Sequence, residues 1–74
     1  FNDKDLDLTS VVVSPYSDYI GKSLGELSFR QNFRVNVVAI TRGDLNIYIP
    51  KSSEPIYPQD KLTVVGTDMQ LQEL

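Results

Sequence analysis

Cysteine and histidine are both absent from this chain of 74 residues. Without cysteine the chain forms no disulfide, no thiolate zinc site and no cysteine nucleophile. Without histidine it also lacks the commonest metal ligand and the commonest general base. These two absences exclude metal sites and catalytic mechanisms that depend on a thiolate or an imidazole.

The motifs of other enzyme classes are missing as well. Gly21-Lys22-Ser23 lacks the upstream glycine of a phosphate-binding loop, and no Gly-x-Gly-x-x-Gly or Ser-x-x-Lys pattern occurs. Asp3, Asp5 and Asp7 have the spacing that opens a calcium loop, but the glycine and the closing glutamate of such a loop are replaced by Leu8 and Ser14. We therefore expect no enzyme, no metal site and no cofactor.

Charge and size bear on the partners of the chain. Its net charge of −3 makes nucleic acid a poor partner, and no run approaches the roughly 18 apolar residues of a membrane span. A chain of this length buries only about 60–65% of its unfolded surface. Because disulfides and metals are unavailable, we expect a homodimer to supply the missing support. The first residue is Phe1 rather than methionine, so we expect further sequence ahead of it.

The hydrophobic pattern predicts strands at residues 8–13, 35–42, 45–49 and 61–66. Ser23 and Glu26 form a capping-box pattern, which predicts a helix with Ile20, Leu24 and Leu27 on one face. Gly25 indicates that this helix is short or closely packed. A second helical turn over residues 29–33, capped by Ser28, and one continuous helix are equally compatible with the pattern.

A last helix is predicted at residues 68–74, and residues 1–7 are predicted to be a flexible lead-in or linker remnant. The resulting order is β-α-β-β-β-α over residues 8–74. It predicts an α+β domain with a mixed, mainly antiparallel sheet and helices packed on it.

Residues 35–40 are the longest apolar run of the chain, with Asn36 as the single polar residue. This pattern predicts a central strand that is buried on both faces. We also expect the apolar side chains to exceed what one small core covers, so that some lie in a subunit interface; this set comprises Val12, Val35, Val37, Val64 and the face formed by Phe29 and Phe33.

Three arginines, Arg30, Arg34 and Arg42, bracket the central strand of this acidic protein. One interpretation is that they are solvated or salt-bridged surface side chains. The other is an anion or phosphate site, because guanidinium groups bind phosphate oxygens in a bidentate manner. Asn36 favours the second interpretation, since a polar side chain in an apolar strand needs a partner.

The ordered set of motifs resembles the TrkA-C domain, which is also called the C-terminal lobe of the RCK (regulator of potassium conductance) module. The resemblance covers about residues 8–74. Its motifs are Gly21-Lys22-Ser23-Leu24-Gly25-Glu26-Leu27, Phe29-Arg30, Val35-Asn36-Val37-Val38-Ala39-Ile40, Arg42-Gly43, Pro50, Ile56, Asp60, Leu62, Val64-Val65-Gly66, Leu71 and Leu74.

The resemblance implies a cytoplasmic regulatory domain of a membrane transport protein. Such domains usually dimerise and follow a Rossmann lobe or the membrane part of a potassium transporter or cation–proton antiporter. They sense a ligand and pass a conformational bias to the transport pathway, and some bind cyclic di-AMP between two subunits.

The resemblance also implies a set of ligand-binding residues. By its position Arg30 would face a phosphate, Asn36 would face the base or ribose, and Leu24 and Val37 would supply apolar walls. Arg34, where the family often has glycine, is included as a further ligand-binding candidate. Arg42, at the far end of the strand, is assigned to the hairpin.

Two other hypotheses remain open. The domain is a structural dimerisation module without a ligand if Arg30 and Asn36 only tie helix to strand, for example through an Arg30–Glu26 salt bridge. A small enzyme domain would need a pair of carboxylates in a cleft, and the acidic residues of this sequence stand at positions typical of turns and caps.

Overall fold

The computed structural model describes residues 6–32, 34–67 and 71–72. In chain order its elements are strand β1 (Leu6–Val12), helices α1 (Leu24–Leu27) and α2 (Phe29–Asn32), and strands β2 (Asn36–Arg42), β3 (Leu45–Tyr48) and β4 (Lys61–Thr67). Strand β1 begins two residues before the predicted start. Of the predicted last helix, only Leu71 and Gln72 are described, and both are helical. Phe33 also lies outside the described residues.

The four strands form one sheet in the order β1-β4-β2-β3. Each of the three strand pairs is antiparallel. Strands β1 and β2 run in the same direction, but β4 lies between them and pairs with both. The α+β fold is confirmed, as is the predicted β2–β3 hairpin, in which Gly43 and Asp44 join Arg42 to Leu45.

The prediction that the central strand is buried on both faces is wrong for this chain. Ile40 is fully buried, Val37 and Val38 are half-buried, and Asn36 is exposed. The strand register shifts between Val37 and Ala39, so Val38 is the extra residue of a β-bulge. The apolar run therefore contains a bulge and is only partly covered, since Ile40 is the one residue of β2 that is fully buried.

Two short helices, α1 and α2, precede β2, so the prediction of two separate helical pieces is confirmed and that of one continuous helix is not. The Ser23 hydroxyl accepts a hydrogen bond from the Glu26 N–H, and the Glu26 carboxylate accepts one from the Ser23 N–H, which forms the predicted capping box. Ser28 adopts φ 52° and ends α1. Ile20 precedes the cap and is not helical, contrary to the prediction, although it packs against the core.

The core lies between the helices and the inner face of the sheet. Val35, Ile40, Ile56 and Val64 are its most completely buried apolar side chains. The expectation that apolar side chains remain for a subunit interface is wrong for Val35, Val64 and Phe29, because the chain itself buries them. Val12 is 58% exposed, and Val37 is half-buried. No helix in the described part of the chain is long and apolar enough to cross a membrane.

Candidate functional site

A groove of about 550 Å³ opens between the two helices, the start of β2 and the loop that follows β3. Its lining is mainly apolar with a few polar groups, which is the usual composition of a small-molecule site. The apolar part includes Leu24, Phe29, Val37, Val38, Ile49 and Pro50, and the polar part includes Ser28, Gln31, Asn36 and Ser52.

Three of the predicted site residues meet in this groove. Leu24 is the first residue of α1, and Asn36 and Val37 are the first two residues of β2. The capping box fixes where α1 begins, and pairing with Val65 and Val64 of β4 fixes Asn36 and Val37. Asn36 is exposed at the groove, so its amide is accessible to a ligand rather than tied into the core.

The two predicted arginines are placed differently. Arg30 lies in α2 between Phe29 and Gln31, which both line the groove, but its side chain lies outside the described part of the structure. Arg34 is exposed, precedes β2 and does not line the groove. Its φ of 59° is in the left-handed region, which a glycine adopts without strain.

The loop after β3 forms one wall of the groove, and this wall begins at Ile49, which residue-by-residue reasoning missed. Ile49 has φ 49°, a conformation that β-branched side chains rarely adopt. Its N–H donates a hydrogen bond of 2.9 Å to the carbonyl of Val38 at the bulge. The side chain is 77% exposed at the groove. The neighbouring Pro50, one of the motif residues, is the one sequence signal that marked this wall.

Backbone contacts hold the loop against α1. The N–H of Gly25 donates to the Ser52 carbonyl at 2.8 Å, and the N–H of Leu24 donates to the Glu54 carbonyl at 3.0 Å. A Cβ on Gly25 would lie 3.1 Å from the Ser52 oxygen, so there is little room for a side chain. The close packing contact expected at Gly25 is confirmed.

At its other end the loop carries an ion cluster centred on Arg42. The guanidinium donates from Nε to Oδ1 of Asp60 at 2.9 Å and from Nη2 to Oδ2 at 2.8 Å. Nη2 also donates to the Pro55 carbonyl at 3.2 Å, and Nη1 lies 3.5 Å from Glu54. The guanidinium carbon is 4.3 Å from the ring centre of Tyr57, a cation–π contact.

Asp60 is the buried charge at the centre of this cluster, with no exposed surface. Burial raises the pKa of its carboxyl group, but hydrogen bonds from Arg42 and from the Tyr57 N–H outweigh burial, so the pKa lies below its ordinary value. The same hydrogen bond raises the pKa of Arg42.

The assignment of Arg42 to the hairpin is therefore incomplete. Arg42 is salt-bridged, which agrees with the plainer of the two interpretations of the arginines, and it organises the loop between β3 and β4. Asp60 does close the predicted turn, since its N–H donates to the Tyr57 carbonyl at 3.2 Å. Its larger role was missed because the partners are 18 positions apart.

Acidic residues do not gather into a metal site anywhere in residues 6–32, 34–67 and 71–72. Glu26 is occupied by the capping box, and the hydrogen bond from the Ser23 N–H lowers the pKa of its carboxyl group.

The four-stranded antiparallel sheet and two short helices have the fold of solved RCK C-terminal domains. The sequence matches the family model of the TrkA-C domain over residues 8–74. The chain belongs to this family, as the sequence motifs predicted.

A protein of Escherichia coli (strain K12), called uncharacterized transporter YfbS, is 35% identical to this chain over 68 residues. The match covers 89% of this chain and 11% of YfbS, so the chain spans only a small part of that relative.

Solved structures share the fold. The RCK C domain of the potassium transport protein KtrA, in complex with cyclic di-AMP, superposes with a TM-score of 0.85 at 23% identity over 93% of this chain and 79% of that domain. The RCK_C domain dimer of Streptococcus agalactiae BusR, also in complex with cyclic di-AMP, superposes with a TM-score of 0.82 at 28% identity. That match covers 90% of this chain and 83% of the BusR domain.

Proposed function

We propose that this chain is the cytoplasmic regulatory domain of a potassium or sodium transporter, such as a cation–proton antiporter. In this proposal it binds a small ligand such as cyclic di-AMP as a homodimer and thereby gates transport. The observation that carries the proposal is the groove that gathers Leu24, Asn36 and Val37 in one place. Its relationship to a transporter and to two domains bound to cyclic di-AMP supports the choice of ligand.

The proposed contacts follow from the chemistry of the groove. Leu24 and Val37 offer apolar surface to a purine ring, and the Asn36 amide offers a donor and an acceptor to the base or ribose. The protein is acidic overall, so a phosphate needs local cations. We assign that role to Arg30, in the helix between two lining residues, and include Arg34 as a second cation.

A second copy of the chain completes the proposed site. The groove is open to solvent, and Ile49 at its rim is largely exposed. Cyclic di-AMP has two identical halves, so it matches two copies of one groove related by a twofold axis. Its binding would cover the exposed rim of both copies and join the subunits.

Coupling to transport requires no catalytic residue in this domain. A ligand that binds one subunit arrangement more tightly than another shifts the population toward that arrangement. Coupling free energies of about 1–3 kcal/mol are typical and change an equilibrium about 5- to 150-fold. The membrane part of the transporter, or a Rossmann lobe ahead of this domain, would receive this bias.

Isothermal titration calorimetry with cyclic di-AMP tests the proposal on the domain itself. We expect saturable binding by the wild type and binding weakened at least about tenfold in Asn36→Ala and in Arg30→Ala. Asn46→Ala is the matched control, because Asn46 is exposed on β3 and does not line the groove. It should bind like the wild type. The absence of both heat and thermal stabilisation at high ligand concentration would instead favour a dimerisation module without a ligand.

A further inference from the structure

The loop of residues 49–60 links the candidate ligand groove to the Arg42 cluster. Its first residues, including Ile49, Pro50 and Ser52, line the groove. Its last residue is Asp60, the carboxylate bound by Arg42. Whatever fixes the second half of this loop therefore also limits where the groove wall can lie.

Arg42 makes contact with four residues of this loop, all between positions 54 and 60. It binds the Asp60 carboxylate through two hydrogen bonds, the Pro55 carbonyl through a third, and it lies beside Glu54 and over the Tyr57 ring. A planar guanidinium makes these contacts together, whereas a lysine ammonium has neither the fork nor the flat face. Arg42 is the last residue of β2, and Asn36 at the groove is the first. The ion pair thus lies about 20 Å along the strand from Asn36.

The start of the loop is strained. Ile49 holds a left-handed backbone conformation at φ 49°. A β-branched residue keeps such a conformation only when its surroundings over-determine it. The contacts that fix it include its hydrogen bond to Val38 and the Arg42 cluster at the far end of the loop. Backbone hydrogen bonds from Gly25 to Ser52, from Leu24 to Glu54 and between Ile56 and residues 21–22 hold the loop between these two points.

From these contacts we propose that Arg42 and Asp60 are positioning residues for the ligand, although neither lines the groove. Their ion pair anchors the loop, and the anchored loop keeps Ile49 and Ser52 in place as the outer wall. Loosening the pair lets Ile49 relax and opens the wall, so affinity falls although Arg42 and Asp60 themselves do not line the groove. This inference rests on the proposed ligand-binding function.

Arg42→Lys tests the inference because it keeps the positive charge and removes the fork and the stacking face. We expect its affinity for cyclic di-AMP, measured by calorimetry, to fall about 3- to 30-fold while the far-ultraviolet circular dichroism spectrum is unchanged. Amide hydrogen exchange gives a second readout without ligand. The Ile49 and Gly25 amides, which bond to Val38 and Ser52, should exchange faster in Arg42→Lys than in the wild type.

Two further variants separate positioning from general stability. Val11→Ala truncates a half-buried side chain on β1 that does not line the groove. It should leave the affinity unchanged, and the exchange rates of the Ile49 and Gly25 amides should be unchanged relative to the rest of the sheet. In Gly25→Ala the added methyl group would press directly on Ser52 of the groove wall. Ligand binding should therefore weaken although the Arg42 cluster is intact.

Wild-type affinity in Arg42→Lys, or unchanged protection of Ile49 and Gly25, would overturn the inference. An equal loss of affinity in Val11→Ala would also overturn it, because the effect would then follow global stability. If the wild type binds no cyclic di-AMP, the proposed function fails, and the exchange rates still decide whether Arg42 holds the wall.

Discussion

Arg42 and Asp60 meet through two parallel hydrogen bonds of 2.9 and 2.8 Å, which close the loop between β3 and β4. The carboxylate is fully buried, whereas the arginine side chain keeps 28% of its surface exposed. The carboxylate also accepts the Tyr57 N–H, so its burial is compensated by three hydrogen bonds. This pair is the point at which the turn, the sheet and the groove wall depend on one another.

Asp60→Asn should destabilise the domain in a pH-dependent way. Removing one partner of a buried pair costs about 3–5 kcal/mol, and the partial exposure of Arg42 favours the lower end, about 3 kcal/mol. The folded-state pKa of Asp60 lies below its ordinary value. The stability due to ionised Asp60 is therefore complete above about pH 5 and is lost as the pH falls below about 4, through the folded-state pKa.

Urea unfolding of the wild type and Asp60→Asn between pH 2 and pH 7 measures this dependence. The difference in the free energy of unfolding should be largest near neutral pH and should shrink in acid. Asp44→Asn, at the exposed hairpin turn, is the control and should change stability little. A difference that stays constant across the pH range would mean that Asp60 is not ionised in the folded protein.

Arg34→Gly should stabilise the domain. Arg34 has φ 59°, where an L side chain is strained by about 1–2 kcal/mol. Glycine removes this strain, but it also makes the unfolded chain more flexible, which offsets part of the gain in stability. We expect the free energy of unfolding to rise by about 0.5–1 kcal/mol. Arg34→Ala removes the same side chain but keeps the strain, so it should give no such gain. Equal effects of glycine and alanine in chemical unfolding would contradict the strain argument.

Ile49→Asn should separate stability from ligand binding. Asparagine adopts the left-handed region more readily than isoleucine, and Ile49 is 77% exposed, so little buried apolar surface is lost. We expect the melting temperature to be maintained or raised, while cyclic di-AMP binds more weakly because the apolar wall is lost. Ile49→Val keeps both the wall and the strain and should resemble the wild type. A clear drop in the melting temperature of Ile49→Asn would show that the exposed side chain stabilises the fold.

Local signals predicted much of the fold. The capping box depends on two residues three positions apart, Ser23 and Glu26, and the β2–β3 hairpin depends on the adjacent Gly43 and Asp44. Such contacts can be inferred from spacing alone. The bulge at Val38 could not be inferred, because it arises from pairing with β4, about 25 residues later in the chain. That bulge, rather than two-sided burial, accounts for the consecutive apolar residues 37–40.

The candidate site divides in the same way. The family resemblance predicts ligand-binding roles for Leu24, Asn36 and Val37, and all three line one groove in the structure. The wall formed by the loop after β3 was missed, because Ile49 and Ser52 reach the groove only through the conformation of this long loop. The sequence shows an arginine and an aspartate far apart, and nothing in their local surroundings indicates that they pair.

The most direct test of the central claim is the stoichiometry of cyclic di-AMP binding, measured by calorimetry together with light scattering on the same sample. The account predicts one ligand for every two chains and a complex with the mass of a dimer. Binding of one ligand to each monomer, or no saturable binding at any attainable concentration, would contradict it.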